Sequence, residues 1–490
     1  MKAKPFTLSI CFLLIALLAC YPFPPSTSTP SSSPTATRQT EPPPPTATQE
    51  QPIIITTTPS DAARDLDFAG PWLLAIDDVS ISAFNSDGSG YTPLLADGPI
   101  NYALSPDERI LVYVTDTHPR DEARGLQLRM LALPNGPDEL ITELQNPDLV
   151  PPDEPGIGDP VTEAARAIVM TSPRWSHDGD YIAFIGQQDG SSADLYVYDV
   201  QDREITQLTD GPSQAYGISI SPGDEHIFHA GALGFGTGAG FADAGSWIAR
   251  SDDSGIIDTT TNNGSDQVMV WYAPRGFLLA SWRQPCGLAD LHSFDIETRS
   301  YTEIWPYFFE FVVFDETTGG VAFLVPEGFD TCTEGGQPTG LFYMTDVDDR
   351  ARTVSNQAFD GLLVDPSTPG AFLLRDDIGI YRFQPTSQID FLGEAISRDP
   401  LYSPQSGMWL WYGSWGENTG LWVGQLPGTP SKVSDAGVMS ATWSPDGSMV
   451  FLTGSSDYRL YKAVAPDFES QLVNPSIVFE GYTYLLWAGR

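Results

Sequence analysis

The chain has 490 residues, of which 64 are Asp or Glu and 24 are Lys or Arg, for a formal net charge of −40 at pH 7. A surface this acidic repels phosphate backbones and anionic head groups, which excludes nucleic acid as a charge-driven partner and favours solubility, cationic partners or bound cations. Four cysteines and five histidines leave little scope for a thiolate or imidazole metal centre.

In chain order, Lys2 and Lys4 precede an apolar run from Phe6 to Leu18. A charged start and an apolar stretch of this length read as a signal peptide over residues 1–19, too short and too unflanked for a membrane span. Leu17-Leu18-Ala19-Cys20 resembles the lipobox of bacterial lipoproteins. That resemblance implies cleavage before Cys20 and a lipid such as palmitate on its thiol, hence a cell-membrane anchor facing the extracytoplasmic side. The alternative is an ordinary signal peptide with an incidental cysteine. Residues 20–65 are rich in Pro, Ser and Thr, cannot build a core, and favour extended polyproline II. This tether reaches up to roughly 100 Å at about 3 Å per residue.

Residues 66–490 carry a repeat of about 40 residues. An early unit, Leu74 to Phe84, aligns with Leu373 to Phe383 but lacks a first strand. Turn signals follow at Ser105-Pro106-Asp107-Glu108, Trp175-Ser176-His177-Asp178-Gly179, Ser221-Pro222-Gly223-Asp224, Ala273-Pro274-Arg275-Gly276, a degenerate Asp315-Glu316 to Gly319, Asp365-Pro366 to Gly370, Ser403-Pro404 to Gly407, and Trp443-Ser444-Pro445-Asp446-Gly447. In the fullest copies Pro pre-sets φ, Asp bonds forward to backbone amides, and Gly supplies the positive φ of a hairpin. After the turn come Tyr181 to Phe184, the alternating strand Asp194 to Asp199, and a fourth strand from Glu204 to Thr209. Four short antiparallel strands per unit make a propeller blade, which cannot bury its own apolar face alone. An acidic, Pro-rich insertion at about 135–172 contains a predicted short helix from Val161 to Val169. Tyr482 to Ala488 reads as a first strand with nothing after it, and pairing it with the early unit closes the ring and removes both edges. The expectation is an all-β fold: a single β-propeller of four-stranded antiparallel blades, eight in number with seven or nine allowed, closed by its N- and C-terminal segments.

The Trp-Ser-Pro-Asp-Gly turn, the Asp194-Leu195-Tyr196-Val197 strand and the closing Gln207-Leu208-Thr209 resemble the repeats of TolB-like (WD40-like) β-propellers. Such propellers occur in bacterial cell-envelope proteins and in prolyl oligopeptidase-like enzymes. The match is strongest over Pro173 to Gly211 and Met439 to Lys462, and it departs from the six blades typical of TolB. It implies fold more than function, because one propeller architecture hosts many activities.

Cys11 falls in the signal peptide and Cys20 takes lipid, which leaves Cys286 and Cys332. An oxidising compartment makes their pairing the expected state. Both fall in second-to-third-strand loops of adjacent blades, where Cα atoms can approach within the roughly 4.4 to 6.8 Å of a disulfide. Two free thiols are the alternative.

Catalytic signatures are sparse. No Gly-x-Ser-x-Gly elbow occurs. His118, His177, His226, His229 and His292 form no metal signature, and His226 and His229, three apart on a strand, point to opposite faces. Asn85 to Gly90 and Asp346 to Asp349 look superficially like calcium loops but lack the required spacing and distal Glu. No cofactor is expected, with calcium at those turns as the alternative. Trp175, Trp271 and Trp443 are assigned to packing between blades.

Binding is expected on the face where the second-to-third-strand loops and inter-blade connections emerge, since loops on a rigid scaffold carry function. There the repeat places a Gly-rich loop, Gly231 to Gly245, bearing Phe235, together with Trp282, Arg283, Asp330, Arg375, Trp415 and Glu417. Aromatic and charged loops suit an envelope protein, a peptide or a glycan. The expected molecule is a monomeric, lipid-anchored, non-catalytic binding or scaffold module. The alternative is an extracellular glycan- or peptide-processing enzyme with carboxylates at the channel mouth.

Overall fold

The computed structural model describes residues 66–77, 79–95, 98–116, 125–145, 160–171, 173–235, 241–260, 264–273, 276–283, 288–327, 338–347, 349–397, 400–415, 418–435, 437–479 and 482–490. The fold starts from the repeated turn. At Ser444-Pro445-Asp446-Gly447 the chain reverses because Gly447 takes a φ of 70°, a left-handed conformation that glycine adopts without strain. The serine contributes more than its small size: its buried hydroxyl donates to Asp446 Oδ1 at 2.6 Å and accepts the Met449 N–H at 2.9 Å, capping the first amide of the next strand. Ser105, Ser176 and Ser221 accept the Ile110, Tyr181 and His226 N–H groups at 2.9, 3.0 and 3.2 Å in the same way.

Two copies lack the turn glycine. Glu108 and Asp224 hold its left-handed conformation at φ 59° and 60°, at a cost of roughly 1 kcal/mol each. Both carboxylates clamp another element. Asp224 accepts the His177 and Asp178 N–H groups of the preceding blade at 2.8 and 3.1 Å, with His177 Nδ1 at 2.6 Å from its Oδ1. His177 stands where the repeat has proline, and a proline has no N–H to give.

Nine sheets are built this way among the described residues. Blade 1 comprises 72–95; blades 2 to 5 comprise 101–143, 174–207, 214–258 and 264–305; blades 6 to 9 comprise 311–355, 361–393, 395–434 and 438–472. The expectation of eight is thus corrected to nine. The degenerate unit at Asp315–Gly319 is no decoration: Asp315 Oδ1 accepts the Thr317 N–H at 3.1 Å and its carbonyl accepts Gly319 N–H at 2.8 Å, which rebuilds the turn without a proline and yields a full sheet. Blade 8 has five strands, because its inner edge is split into Ala395–Ser397 and Leu401–Ser403, both paired with Met408–Trp415.

The inner strand of blade 1 is Tyr484–Ala488, antiparallel to Trp72–Ile76 from Trp72↔Ala488 to Ile76↔Tyr484. This is the closure read from the sequence. Beyond it, Gly489 N–H donates to the Glu108 carbonyl at 2.8 Å, and the Arg490 guanidinium pairs with the Glu108 carboxylate at 2.7 Å, so the closing strand is held by blade 2 as well.

The apolar core is not central but lies between blades. Separate buried clusters join blades 1 and 2 (Trp72, Leu74, Leu111, Tyr113), 4 and 5 (Phe228, Phe277, Phe294), 5 and 6, 6 and 7, 7 and 8 (Leu373, Trp409, Trp411), 8 and 9, and 9 and 1. One larger cluster spans blades 2 to 4. Three signature tryptophans reinforce these joints. The indole N–H of Trp175 reaches Ala103 O at 3.2 Å, that of Trp271 reaches Ser219 Oγ at 2.8 Å, and that of Trp443 reaches Leu401 O at 3.2 Å. Each bond runs to the inner strand of the preceding blade.

The insertion carries helix α1 (Pro160–Met170). Its buried Ala164, Ala167 and Ile168 pack into the cluster of blades 2 to 4.

Candidate functional site

In every blade the inner strand starts, and the second strand ends, on one face, here called the loop face. Helix α1 occupies this face over blades 2 to 4. Asn101 Nδ2, at the start of the blade 2 inner strand, donates to Val169 O. Thr171 Oγ1 accepts Gly217 N–H of the blade 4 inner strand at 3.1 Å. Glu163 accepts the Phe235 N–H while Arg166 donates to Phe235 O at 2.7 Å and pairs with Glu163 at 3.3 Å, so the helix grips the end of a blade 4 strand from both polar sides.

The described parts of Gly231 to Gly245 correct its reading as a loop. Residues up to Phe235 continue the strand His226–Phe235, and those from Phe241 begin its partner Phe241–Arg250. Gly231 allows this because a Cβ there would sit 2.6 Å from the Trp247 ring. Phe235 itself is 4% exposed, edge-on to Tyr216 at 5.7 Å, and works as a packing residue.

The other sequence-derived candidates are spread round the same face. Arg283, Arg375 and Trp415 end the second strands of blades 5, 7 and 8, with Cα partners Gly264, Gly361 and Ala395 at the starts of the inner strands; Trp282 faces Ser265. Trp415 is half-buried, 5.9 Å from the Trp411 ring, and lies over Gly393, where a Cβ would be 2.6 Å from it. Asp330, Glu417, Cys20, Cys286 and Cys332 lie outside the described residues, as do the signal segment and the tether.

Arg375 draws in a residue the sequence reading missed. Its Nε pairs with Asp360 Oδ1 at 2.7 Å, and its Nη2 donates to Asp360 O at 2.7 Å. Glu310 takes the place of Asp360 one blade earlier: each directly precedes an inner strand, and each donates its N–H to the second strand of its own blade, to Leu324 O at 3.0 Å and Arg375 O at 2.8 Å. The Glu310 carboxyl is raised above the usual carboxylate range, first by partial loss of its water and then because Asp360 is negative. The sequence signal was present in Phe309-Glu310 and Phe359-Asp360, 50 residues apart, with both phenylalanines buried.

A second missed group is aromatic. Tyr482 and Tyr484, 55% and 47% exposed, stand with ring centroids 5.6 Å apart where the closing strand enters. Tyr412 is 44% exposed, opposite the split in the blade 8 inner edge, with its hydroxyl beside Gly437 at the head of blade 9; Tyr458 is 39% exposed on the second-to-third-strand loop of blade 9. A tyrosine within or next to a strand reads from sequence as a core residue, so these escaped notice.

The tight loops at Asp77 and Asp376 explain the aligned Asp-Asp motif. Each carboxylate accepts the amide two residues on, Val79 N–H at 3.0 Å and Ile378 N–H at 2.8 Å, which presents an exposed aliphatic tip. In Asn85 to Gly90, Asp87 accepts the Ser89 N–H at 2.9 Å in an ordinary hairpin turn. Among the described residues, no group of three or more His, Cys, Asp or Glu is placed to hold a metal ion. A cavity of about 10 Å³ lies beside Arg375 and Pro400, and a concavity of about 250 Å³ lies on the opposite face between Met408 and Phe468.

No family model matches the sequence. The chain is 42% identical over 69 residues to a protein named uncharacterized peptidase YuxL of Bacillus subtilis (strain 168), covering 14% of this chain and 10% of that one. It therefore spans about a tenth of the length of that curated relative. Solved structures similar to it include a putative TolB from Agrobacterium tumefaciens (15% identity, 49% of this chain and 78% of that chain, TM-score 0.31) and TolB from Acinetobacter baumannii (16%, 57% and 62%, 0.30). A eukaryotic initiation factor is also similar (10% identity, 85% and 98% coverage, TM-score 0.52). At such identities the likeness is one of fold: a β-propeller, with TolB propellers among its neighbours.

Proposed function

We propose that the protein is a lipid-anchored, extracytoplasmic propeller that binds or scaffolds an envelope protein, a peptide or a glycan on its loop face without catalysing a reaction. The observation that carries this reading is the asymmetry of that face. Helix α1 packs over blades 2 to 4, whereas blades 6 to 9 and blade 1 present charged and aromatic side chains on the loop face. Exposed tyrosines on a rigid ring give large contact area at low entropic cost, as binding surfaces require. The lipid anchor rests on Leu17-Leu18-Ala19-Cys20, and the tether supplies the reach.

An enzymatic reading draws on one observation, the raised Glu310 carboxyl beside Asp360. Against a working acid/base pair stands the pairing of Asp360 with Arg375, which holds that carboxylate as an ion-pair partner. The deciding experiment places a photo-crosslinking residue at Ile378 or Tyr484 on the loop face, and at Ser448 on the opposite face, in intact cells. The proposal expects one recurrent adduct from the loop face alone. No adduct, or the same adducts from Ser448, would remove it.

A further inference from the structure

The mouth of the channel divides into arcs of different chemistry. Blades 6 and 7 contribute carboxylates: Glu310 has no ion pair among the described residues, and Asp360 is paired with Arg375. Blades 8, 9 and 1 contribute Tyr412, Tyr458, Tyr482 and Tyr484, each at least 39% exposed. Contacts knit this second arc together. Leu485 N–H donates to Ser440 Oγ at 3.1 Å between the inner strands of blades 1 and 9, Phe479 N–H donates to Tyr458 O at 2.8 Å, and Gly437 lies beside the Tyr412 hydroxyl. The tyrosines thus belong to one stretch of surface.

Resting on the binding reading above, we propose that the occupant of this face is an extended protein segment bearing lysine or arginine, its cations meeting Glu310 and stacking on the tyrosine rings of the opposite arc. Charge selects that occupant. A chain with 64 acidic and 24 basic residues attracts cations over a long range and repels acidic ones, and the Arg375 charge at the mouth is already neutralised by Asp360. Glu310 and Asp360 are near enough for their like charges to repel, and an incoming cation relieves that repulsion. Exposed phenol faces supply the second contact, since a cation over an aromatic ring is attracted by the ring quadrupole. The molecule uses that contact internally, with Arg352 5.4 Å from the Tyr343 centroid and Lys432 5.2 Å from that of Trp422. An extended segment suits the inner strands of blades 9 and 1, whose heads at Val438 and Tyr484 stand side by side at the mouth.

The test measures fluorescence anisotropy of the full chain with a labelled peptide of alternating lysine and Gly-Ser spacers, an arginine version and a glutamate version. The wild type is expected to bind the two basic peptides, more weakly as salt rises, and not the glutamate one. Tyr482→Ser with Tyr484→Ser, and separately Glu310→Gln, should each weaken binding by about tenfold. Asp467→Asn with Glu469→Gln, on the opposite face, should change it by less than about twofold. Circular dichroism melts of each variant establish that the ring is intact. Absence of binding by the wild type, or equal losses from the opposite-face variant, overturns the proposal. A loop-face crosslink to a glycan or to an acidic segment would overturn it too while leaving the binding reading standing; failure of crosslinking altogether would remove that reading instead.

Discussion

His229 illustrates how one buried side chain ties stability to pH. It is 4% exposed on a blade 4 strand, stacked on Trp247 with centroids 5.6 Å apart, and burial pushes its imidazole down to about 4. The folded state therefore holds it neutral, while the unfolded chain takes up a proton near pH 6.5. Its contribution is complete above pH 6.5 and is lost as pH falls through about 4, a difference of roughly 3 kcal/mol. Denaturant melts of the wild type and His229→Gln from pH 7 to 4 should show the wild type losing stability faster by about that amount; parallel curves would contradict the assignment. The turn residues teach a related lesson. The positive φ of Gly179 and Gly447 was legible from the motif, but the use of Asp224 and Glu108 as clamps in place of glycine was not, because their partners lie 47 and 382 residues away.

At the level of the element, the repeat signature is a set of joints. Trp443 buries its ring against Phe468 and sends its N–H to Leu401 in the preceding blade. Trp443→Phe removes that hydrogen bond and a small part of the ring and should cost about 1 to 2 kcal/mol, whereas Trp443→Ala opens a full cavity between blades 8 and 9 and should cost about 3 to 5 kcal/mol. Urea unfolding of the two variants checks the ratio; equal losses would mean that the indole N–H dominates. Helix α1 is the counterpart that the repeat does not encode. Its existence was readable from Val161 to Val169, and the helix spans Pro160–Met170. Its position was not, because the backbone groups that Glu163, Arg166 and Thr171 bind, at Phe235 and Gly217, lie in blade 4, 46 residues or more along the chain.

For the whole molecule the decisive contact is closure. Strand Tyr484–Ala488 completes blade 1, and Glu108 then binds Gly489 and Arg490. Since the last joint fixes all the others, removing the Arg490 guanidinium should act mainly on opening of the ring. Arg490→Ala and Glu108→Ala should each cost about 1 kcal/mol, and the double variant no more than the larger single loss. Hydrogen exchange should quicken first in Trp72–Ile76 and Tyr484–Ala488. Uniform quickening across all blades would show that closure is not the weak joint.

The sequence by itself determined the repeat, the four-strand unit, the split first blade and the location of its closing strand, because turns and strand alternation are local chemistry. Blade number escaped it at Asp315–Gly319, where side-chain bonds replace the proline of the turn and erase the signal without erasing the blade. The surface proposed for binding was decided only by the tertiary structure. Glu310 and Asp360 stand 50 residues apart in the chain, and Tyr412 and Tyr484 stand 72 apart. They share a face because a closed ring brings every inner strand to one mouth, and because helix α1 covers only part of it.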